Sequence, residues 1–464
     1  MRSFFWANTY ENMYTLMKVA LVTLLSLSWT SLAVAQGAGA QGSVRRALSL
    51  EAAIDEALAG NSSLAIAEAQ RDLVASQGRT ASSPLWPRVG VEAGYLTSVD
   101  PVVTFGTKLR QGRFSENDFD LDALNNPDAV QDWTTLIGLR WSVLDPTVWA
   151  GRSSARNQAE AAAWSAVRTR EATVLITRTL YYRALATTAR LDAAVTAEEA
   201  SATTYEAFRV RSDRGLLTQA DLLQAEAELA ASRAMRTDAE RVAADAIQDL
   251  GRHLGWGPDT IPELTGTLTA PEPIAEGEFD PAARSDLRAR AAAVDAAESA
   301  KDRAVLSFIP ALDAFAAWAT HSADPFSFDS DDWTVGVVLR WQVFDGFGRS
   351  AALERANLQR RIARIEYEQA LRDARSEIDQ AERAVNSARG QVEATRTAAN
   401  AAEAARELMR RRFDQGLSTA ADLLQAEARA TAMRDRAIGA LANYNMAIAH
   451  LDFVRSQINP ESQR

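Results

Sequence analysis

The sequence predicts a mainly α-helical fold with a β-barrel portion: long coiled-coil helices joined to four transmembrane β-strands, in a plan that occurs twice. Three observations predict it. The stretch GLLTQADLLQAEA at 215–227 returns at 416–428 as GLSTAADLLQAEA, so the chain is a tandem duplication. Four segments alternate apolar and polar residues with period two, the spacing of a strand with two unlike faces. Two stretches, 149–213 and 349–414, contain no proline and only Gly151 and Gly390.

The duplication extends beyond the one motif. Asp132-Trp133-Thr134 followed by Leu139-Arg140-Trp141 recurs at offset 200 as Asp332-Trp333-Thr334 and Leu339-Arg340-Trp341, and Val143 and Asp145 recur as Val343 and Asp345. Pro87 and Pro310 each open an apolar alternation. Each half reads as helix, strand, loop, strand, very long helix, glycine turn, helix. The expected organisation is a leader over 1–35, a first repeat over 36–254, a proline-rich connector over 255–281, a second repeat over 282–457 and a tail over 458–464.

The leader is read from Lys18, the apolar run Val19 to Leu27, and Ala33-Val34-Ala35 before Gln36, the three parts of a secretory signal. Met17 is a second possible start. An exported chain with no cysteine gains stability from packing or oligomerisation rather than disulfides, and it has no cysteine to lipidate. Acidic residues outnumber basic ones 61 to 50, which argues against a nucleic-acid footprint. His253, His321 and His450 lie far apart in sequence, so no metal site is expected. No nucleophile–base set or phosphate loop stands out, so no catalytic activity or cofactor is expected.

The four strands are expected over about 88–99, 132–145, 311–322 and 332–345. Val89, Val91 and Tyr95 form one apolar row; Trp133, Ile137, Leu139, Trp141 and Val143 a second; Leu312, Ala316 and Trp318 a third; Trp333, Val335, Val337, Leu339, Trp341 and Val343 the fourth. Tryptophan at the ends of an apolar face, with Arg140 and Arg340 on the reverse, matches a membrane β-barrel with a polar lumen. The alternative is a pair of hairpins covering a soluble core, but the flanking alanine-rich helices offer little bulk as cover. Four strands cannot close in lipid, where open edges are not tolerated, so several chains must contribute. The segment 100–131, acid-rich at Glu116, Asp118, Asp120, Asp122 and Asp128, reads as a long exterior loop.

The long helices carry a seven-residue repeat at Leu371, Ile378, Val385 and Val392, with Ala374, Ala381 and Ala388 between, and at Val167, Val174, Tyr181 and Val195. That period implies left-handed coiling. Each helix ends in arginines (Arg209, Arg211, Arg214; Arg410, Arg411, Arg412) before Gly215 or Gly416, which suits the helix dipole and a left-handed cap. Thr218-x-x-Asp221 and Thr419-x-x-Asp422 then read as capping boxes. A non-pore periplasmic scaffold or adaptor is the alternative these helices allow, but it leaves the strands without a role.

From about Leu48 to Phe453 the chain resembles the TolC-like outer-membrane efflux protein family, on the paired G-L-x-T-x-A-D-L-L-Q-A-E motifs and the paired strand–helix junctions. The resemblance implies a homotrimer with a twelve-stranded barrel in outer-membrane lipid, continued by a helical coiled-coil barrel through the periplasm. It implies a passive exit duct docked by a periplasmic adaptor and fed by an inner-membrane transporter. The tips at Gly215, Leu216, Gly416 and Leu417 would take the adaptor. Asp221 and Asp422 match acidic positions at the entrance, as caps, as an electrostatic ring, or as both. Phe413 and Ser418 stand where the best-known member has an aromatic and an arginine that help hold its gate, so that polar lock is missing here; either Arg412 or Arg211 substitutes, or packing of Phe413 dominates closure. Trp133, Trp141, Trp318, Trp333 and Trp341 would border the membrane.

Overall fold

The computed structural model describes residues 44–271, 279–325, 327 and 330–456. The expected leader and tail, and part of the connector including Pro273, lie outside them. The described chain begins with β1 (Val44–Leu48), α1 (Leu50–Gly60) and α2 (Ser62–Ala81). β2 (Arg88–Ser98), α3 (Pro101–Arg110), a one-turn helix at Glu116–Phe119, α4 (Leu121–Asn125) and β3 (Val130–Leu144) follow. α5 (Pro146–Asp213) and α6 (Gln219–His253) close the first half. β4 (Thr260–Leu264) leads into α7 (Ser285–Leu306), β5 (Ala311–Ser322), β6 (Ser330–Arg340), α8 (Gly348–Asp414) and α9 (Ala420–Val454).

The repeat is visible in the element lengths. α5 and α8 have 68 and 67 residues, and α6 and α9 have 35 each. At 1.5 Å per residue the long pair reach about 100 Å. The two long helices start differently. Pro146 sits at the first position of α5 with the Asp145 side chain accepting from the Thr147 N–H, a favoured start. In the second half Asp345 accepts from the Arg349 N–H at 2.9 Å, across left-handed Gly346 and Phe347, so the helix begins later.

Alanine permits the close approach of these helices. Ala374, Ile378, Ala381 and Ala388 are buried along α8, as the seven-residue pattern predicts. In α5 the pattern is only half realised: Val174 and Tyr181 are buried, whereas Val167 and Val195 stay exposed. The buried seam of α5 instead continues through Ala184, Leu185 and Ala186. A mid-length core joins Leu48, Ala53, Ala57, Tyr181, Leu185, Leu250 and Leu254, and Ile378, Ala381, Leu451 and Val454 make a second.

Three features correct the sequence expectation. Asn61 splits the first helix: its side chain accepts from the Ser63 and Leu64 N–H groups while its amide donates to the His253 carbonyl at 2.9 Å. The connector contains β4, which pairs with β1 in a two-stranded sheet. The fourth strand ends at Arg340, leaving Trp341 and Val343 outside it. Its partner β5 begins at Ala311, directly after Pro310, and proline has no N–H with which to extend the ladder.

Gly60 and Gly255 mark where backbones pass closest. A Cβ at Gly60 would come within 2.5 Å of the Leu254 carbonyl oxygen, and Gly255 is left-handed. Gly390, mid-helix, would meet nothing within 4 Å. Gly60→Ala is therefore expected to lower the melting temperature, while Gly390→Ala raises stability by about 1 kcal/mol through helix propensity. A thermal melt of both variants checks the opposite signs; equal shifts would contradict the packing at Gly60.

Candidate functional site: a two-faced sheet and paired helical tips

β2, β3, β5 and β6 form one antiparallel sheet in that order. Register places the four apolar rows together, odd-numbered in β2, β3 and β6 and even-numbered in β5. Val91, Ile137, Trp318 and Trp333 share one rung, and Val89, Leu139, Ala316 and Val335 the next. This face is uncovered: Val91 is 67%, Leu339 65% and Trp333 73% exposed. A contiguous apolar surface of this kind needs an apolar partner.

Aromatic side chains border it. At one end Tyr95 packs on Trp133 with ring centroids 4.7 Å apart, and the Trp318 indole donates to Asp331 at 3.0 Å. At the other, the Trp141 and Trp341 indoles donate to the Leu85 and Phe308 carbonyls at 3.0 and 3.3 Å. Trp133 and Trp141 are eight residues apart in one strand, about 26 Å along it at 3.3 Å per residue, or roughly 20 Å along the normal at the usual tilt of a barrel strand, comparable to an outer-membrane apolar band. Trp86 and Phe344, exposed at the same end as Trp141, extend the border; sequence reading passed over them because they lie outside the alternating rows.

The reverse face is polar. Arg88 and Arg140 are direct cross-strand partners. Asp313 accepts from the Ser142 hydroxyl at 2.9 Å and pairs with Arg340. Towards the far end Asp132 lies buried against His321, 2.9 Å from its Nδ1, and the Thr134 hydroxyl donates to it at 3.1 Å. The Gln111 amide donates to Asp132 at 3.0 Å and to the Gln131 carbonyl at 2.7 Å. That contact ties the end of α3 to the polar face, so the segment expected as a loop is instead folded. Phe105, Phe114 and Phe119 meet edge to face in a cluster that leaves Phe119 exposed. Lys108 beside Asp118, helped by the Ser115 N–H and hydroxyl, brings that carboxyl down to about 2.

The two tips at the other end of the long helices are built alike. Gly215 and Gly416 adopt φ of 70° and 74°. The next N–H, of Leu216 or Leu417, bonds back to the Arg211 or Arg412 carbonyl at 2.9 or 2.8 Å, a six-to-one closure that needs a left-handed residue at the glycine. Leu216 and Leu417 are thereby held out, 70% and 63% exposed. Thr218 with Asp221 and Thr419 with Asp422 form complete capping boxes. The Thr419 hydroxyl and N–H hold the Asp422 carboxyl below the usual range. In both boxes the bonds fall on Oδ2.

The tips of the two repeats pack on each other. Phe208, Ala225, Phe413, Ala420, Leu423 and Leu424 form one buried cluster, with the Phe208 and Phe413 rings 5.0 Å apart. The Arg211 guanidinium lies 4.4 Å above the Phe413 ring and binds Asp414 at 3.0 Å. An exposed ion pair of that kind contributes at most about 1 kcal/mol, whereas truncating a buried phenylalanine costs about 3–5 kcal/mol. Aromatic packing dominates the joint. Of the other candidates, Arg412 donates to the Leu417 carbonyl in its own turn and Ser418 to the Met409 carbonyl; neither bridges the two repeats. Phe208 escaped the sequence reading because the repeat maps it to Met409 and maps Phe413 to Ser212.

Glu427 also escaped it, although it ends the repeated motif. Its counterpart Glu226 is exposed, but Glu427 is buried between α9 and α5, where it accepts from the Thr204 hydroxyl at 3.0 Å. Its other oxygen has no partner. Desolvation raises its pKa, against the opposing pull of Thr204, Arg410 and Arg406. A raised folded pKa means the contact is most stable below the unfolded value of about 4.3 and loses stability as pH rises through the folded value. Glu427→Gln is expected to be more stable than the parent at neutral pH, with the gap closing on acidification. Melting curves across pH check this; a gap that ignores pH would contradict it.

Among the described residues no cluster of His, Asp and Glu can hold a metal, and no helix is long and apolar enough to cross a membrane. The sequence matches the outer membrane efflux protein family over 53–256 and 282–454. No curated protein matches it. Among solved structures it is similar to the CmeC outer membrane channel of Campylobacter jejuni, at 16% identity and TM-score 0.75, covering 89% of this chain and 88% of that one. It is similar to VceC of Vibrio cholerae at 19% and 0.73, covering 88% and 95%. For the open state of the MtrE outer membrane channel of Neisseria gonorrhoeae the values are 18% and 0.74, with 88% of each chain covered. At these identities the likeness speaks for the fold.

Proposed function

The chain belongs to the outer membrane efflux protein family, and from that premise we propose that three copies assemble into the passive exit duct of a tripartite efflux or secretion system. The observation that carries the proposal is the sheet: an uncovered, aromatic-bordered apolar face whose two outer strands, β2 and β6, have one unpaired edge each. Neither lipid nor water tolerates that arrangement in a lone chain. The four strands alternate in direction, so β6 of one copy meets β2 of the next antiparallel. Rotation about a common axis then closes the sheet with every pair antiparallel, as outer-membrane barrels require. Three copies give twelve strands, with Arg140 and Arg340 facing the lumen and the tryptophans at the lipid boundary.

The helices then continue the barrel through the periplasm to an entrance built from the tips. Exposed Leu216 and Leu417 offer an adaptor small apolar knobs, and an inner-membrane transporter would deliver cargo there. The free Oδ1 side of Asp221 and Asp422 lets the caps also serve as a ring of negative charge at the entrance, since bonding falls on Oδ2. The Phe208–Phe413 joint, covered by Arg211, sets how firmly the tips of one copy hold together and so how readily the entrance widens.

Planar bilayers containing the detergent-purified chain are expected to show ion conductance in long-lived steps. A water-soluble monomer that never conducts would support the scaffold reading instead. Arg211→Ala combined with Phe413→Ala is expected to raise the single-channel conductance severalfold by releasing the joint; conductance equal to the parent would place the constriction elsewhere.

A further inference from the structure

Arg88 and Arg140 face each other directly across the β2–β3 ladder. Like charges at opposed positions destabilise an antiparallel pair, and a strand face that only had to be wetted would be served as well by serine or glutamine. Among the described residues neither guanidinium has a carboxylate within ion-pair distance. Asp313, the nearest acid on that face in register, is engaged by Arg340 and Ser142. The next rung outward on that face is Gly90 opposite Gly138, which leaves that side of the arginines open, while Phe315 flanks Arg140 on the β5 side. A cleft of about 400 Å³ opens there, lined by Arg88, Arg140, Arg340 and Trp86, with the carboxylates of Asp313 and Asp145 also on its wall. Asp145 is engaged as the cap of α5, accepting from the Thr147 N–H and hydroxyl.

The acids of the same face do not neutralise the pair. Glu92 lies four residues along β2 from Arg88, about 13 Å, and Asp332 lies on the Glu92 rung. That exceeds the screening length of roughly 8 Å at physiological ionic strength. The polar face is therefore divided: towards the helices Arg88, Arg140 and Arg340 outnumber Asp313 and Asp145, and towards the outer end acids prevail.

We infer that Arg88 and Arg140 form an anion-selecting girdle inside the barrel. The inference rests on the duct reading, under which threefold repetition gathers six guanidiniums without an ion-pair partner around one lumen. Low-dielectric walls focus such a field and concentrate counter-ions. The solutes favoured are anions and cargo bearing carboxylate, sulfonate or phosphate groups, which guanidinium planes bind in bidentate fashion. This filter is separate from the acidic entrance at Asp221 and Asp422, and it acts on what has already entered.

The test is the reversal potential in planar bilayers under a KCl gradient at low ionic strength. Arg88→Gln with Arg140→Gln is expected to lower the chloride-over-potassium permeability ratio about tenfold, the lower end of field-focusing effects. Arg88→Lys with Arg140→Lys is expected to keep the parent ratio. The difference is expected to shrink in molar salt as screening shortens. Arg88→Gln alone, which leaves the other guanidinium in place, is expected to shift the ratio in the same direction by less and serves should the double variant fail to insert. Channels that conduct with an unchanged ratio in both glutamine variants overturn the girdle while leaving the duct intact. Absence of conductance in the parent protein overturns the duct itself.

Discussion

The requirement that every backbone N–H and C=O be paired within lipid governs this structure. β2 and β6, eleven residues each, expose one unpaired edge apiece. With about half of the backbone groups of an edge strand pointing outward, each edge leaves roughly ten groups unmet, at several kcal/mol per group in hydrocarbon. That total outweighs any ion pair or cap elsewhere in the chain. It makes the four-stranded sheet an incomplete object, and the proposed completion with identical neighbours would fix the symmetry, the direction of the helices and the position of the tips.

At the far end of the same helices the energetics differ. There the backbone is satisfied locally, by capping boxes and by six-to-one closures at Gly215 and Gly416. What joins the two repeats is the contact of Phe208 with Phe413 and the burial of Leu423 and Leu424. Charged groups decorate that contact more than they cause it, because the Arg211–Asp414 pair is solvent-accessible. Glu427 is the exception, a carboxyl buried in the seam between the repeats with a single hydroxyl partner. The sheet is held by obligatory bonds and the tips by packing, which suits the proposed duct, a rigid barrel joined to an entrance that can move.

Much of this was legible in the sequence because periodicity survives folding. The strand rows from Val89 to Val337 lie on one face as the two-residue alternation requires, and the glycine tips fall where the repeated motif places them. Composition misled at α3: the acid-rich span between two strands, 100–131, reads as loop, yet Asp100 caps a helix there and Gln111 anchors it to buried Asp132. Alternation misled at Trp341 and Val343, which continue the pattern but find no partner beyond Pro310. Register was invisible, and with it the opposition of Arg88 to Arg140, because pairing between strands is not written in either strand alone. The repeat itself concealed the aromatic joint, whose two members occupy non-equivalent positions.

The central claim, that open edges are completed by other copies of the same chain, can be tested covalently because the sequence has no cysteine. Single cysteines placed along β2, from Val89 to Tyr95, would be combined in turn with single cysteines along β6, from Trp333 to Leu339, and oxidised in the membrane. The account predicts that a subset of pairs in one antiparallel register yields disulfide-linked dimers and trimers on non-reducing gels. Monomers at every pair, or a single intramolecular product, would contradict it.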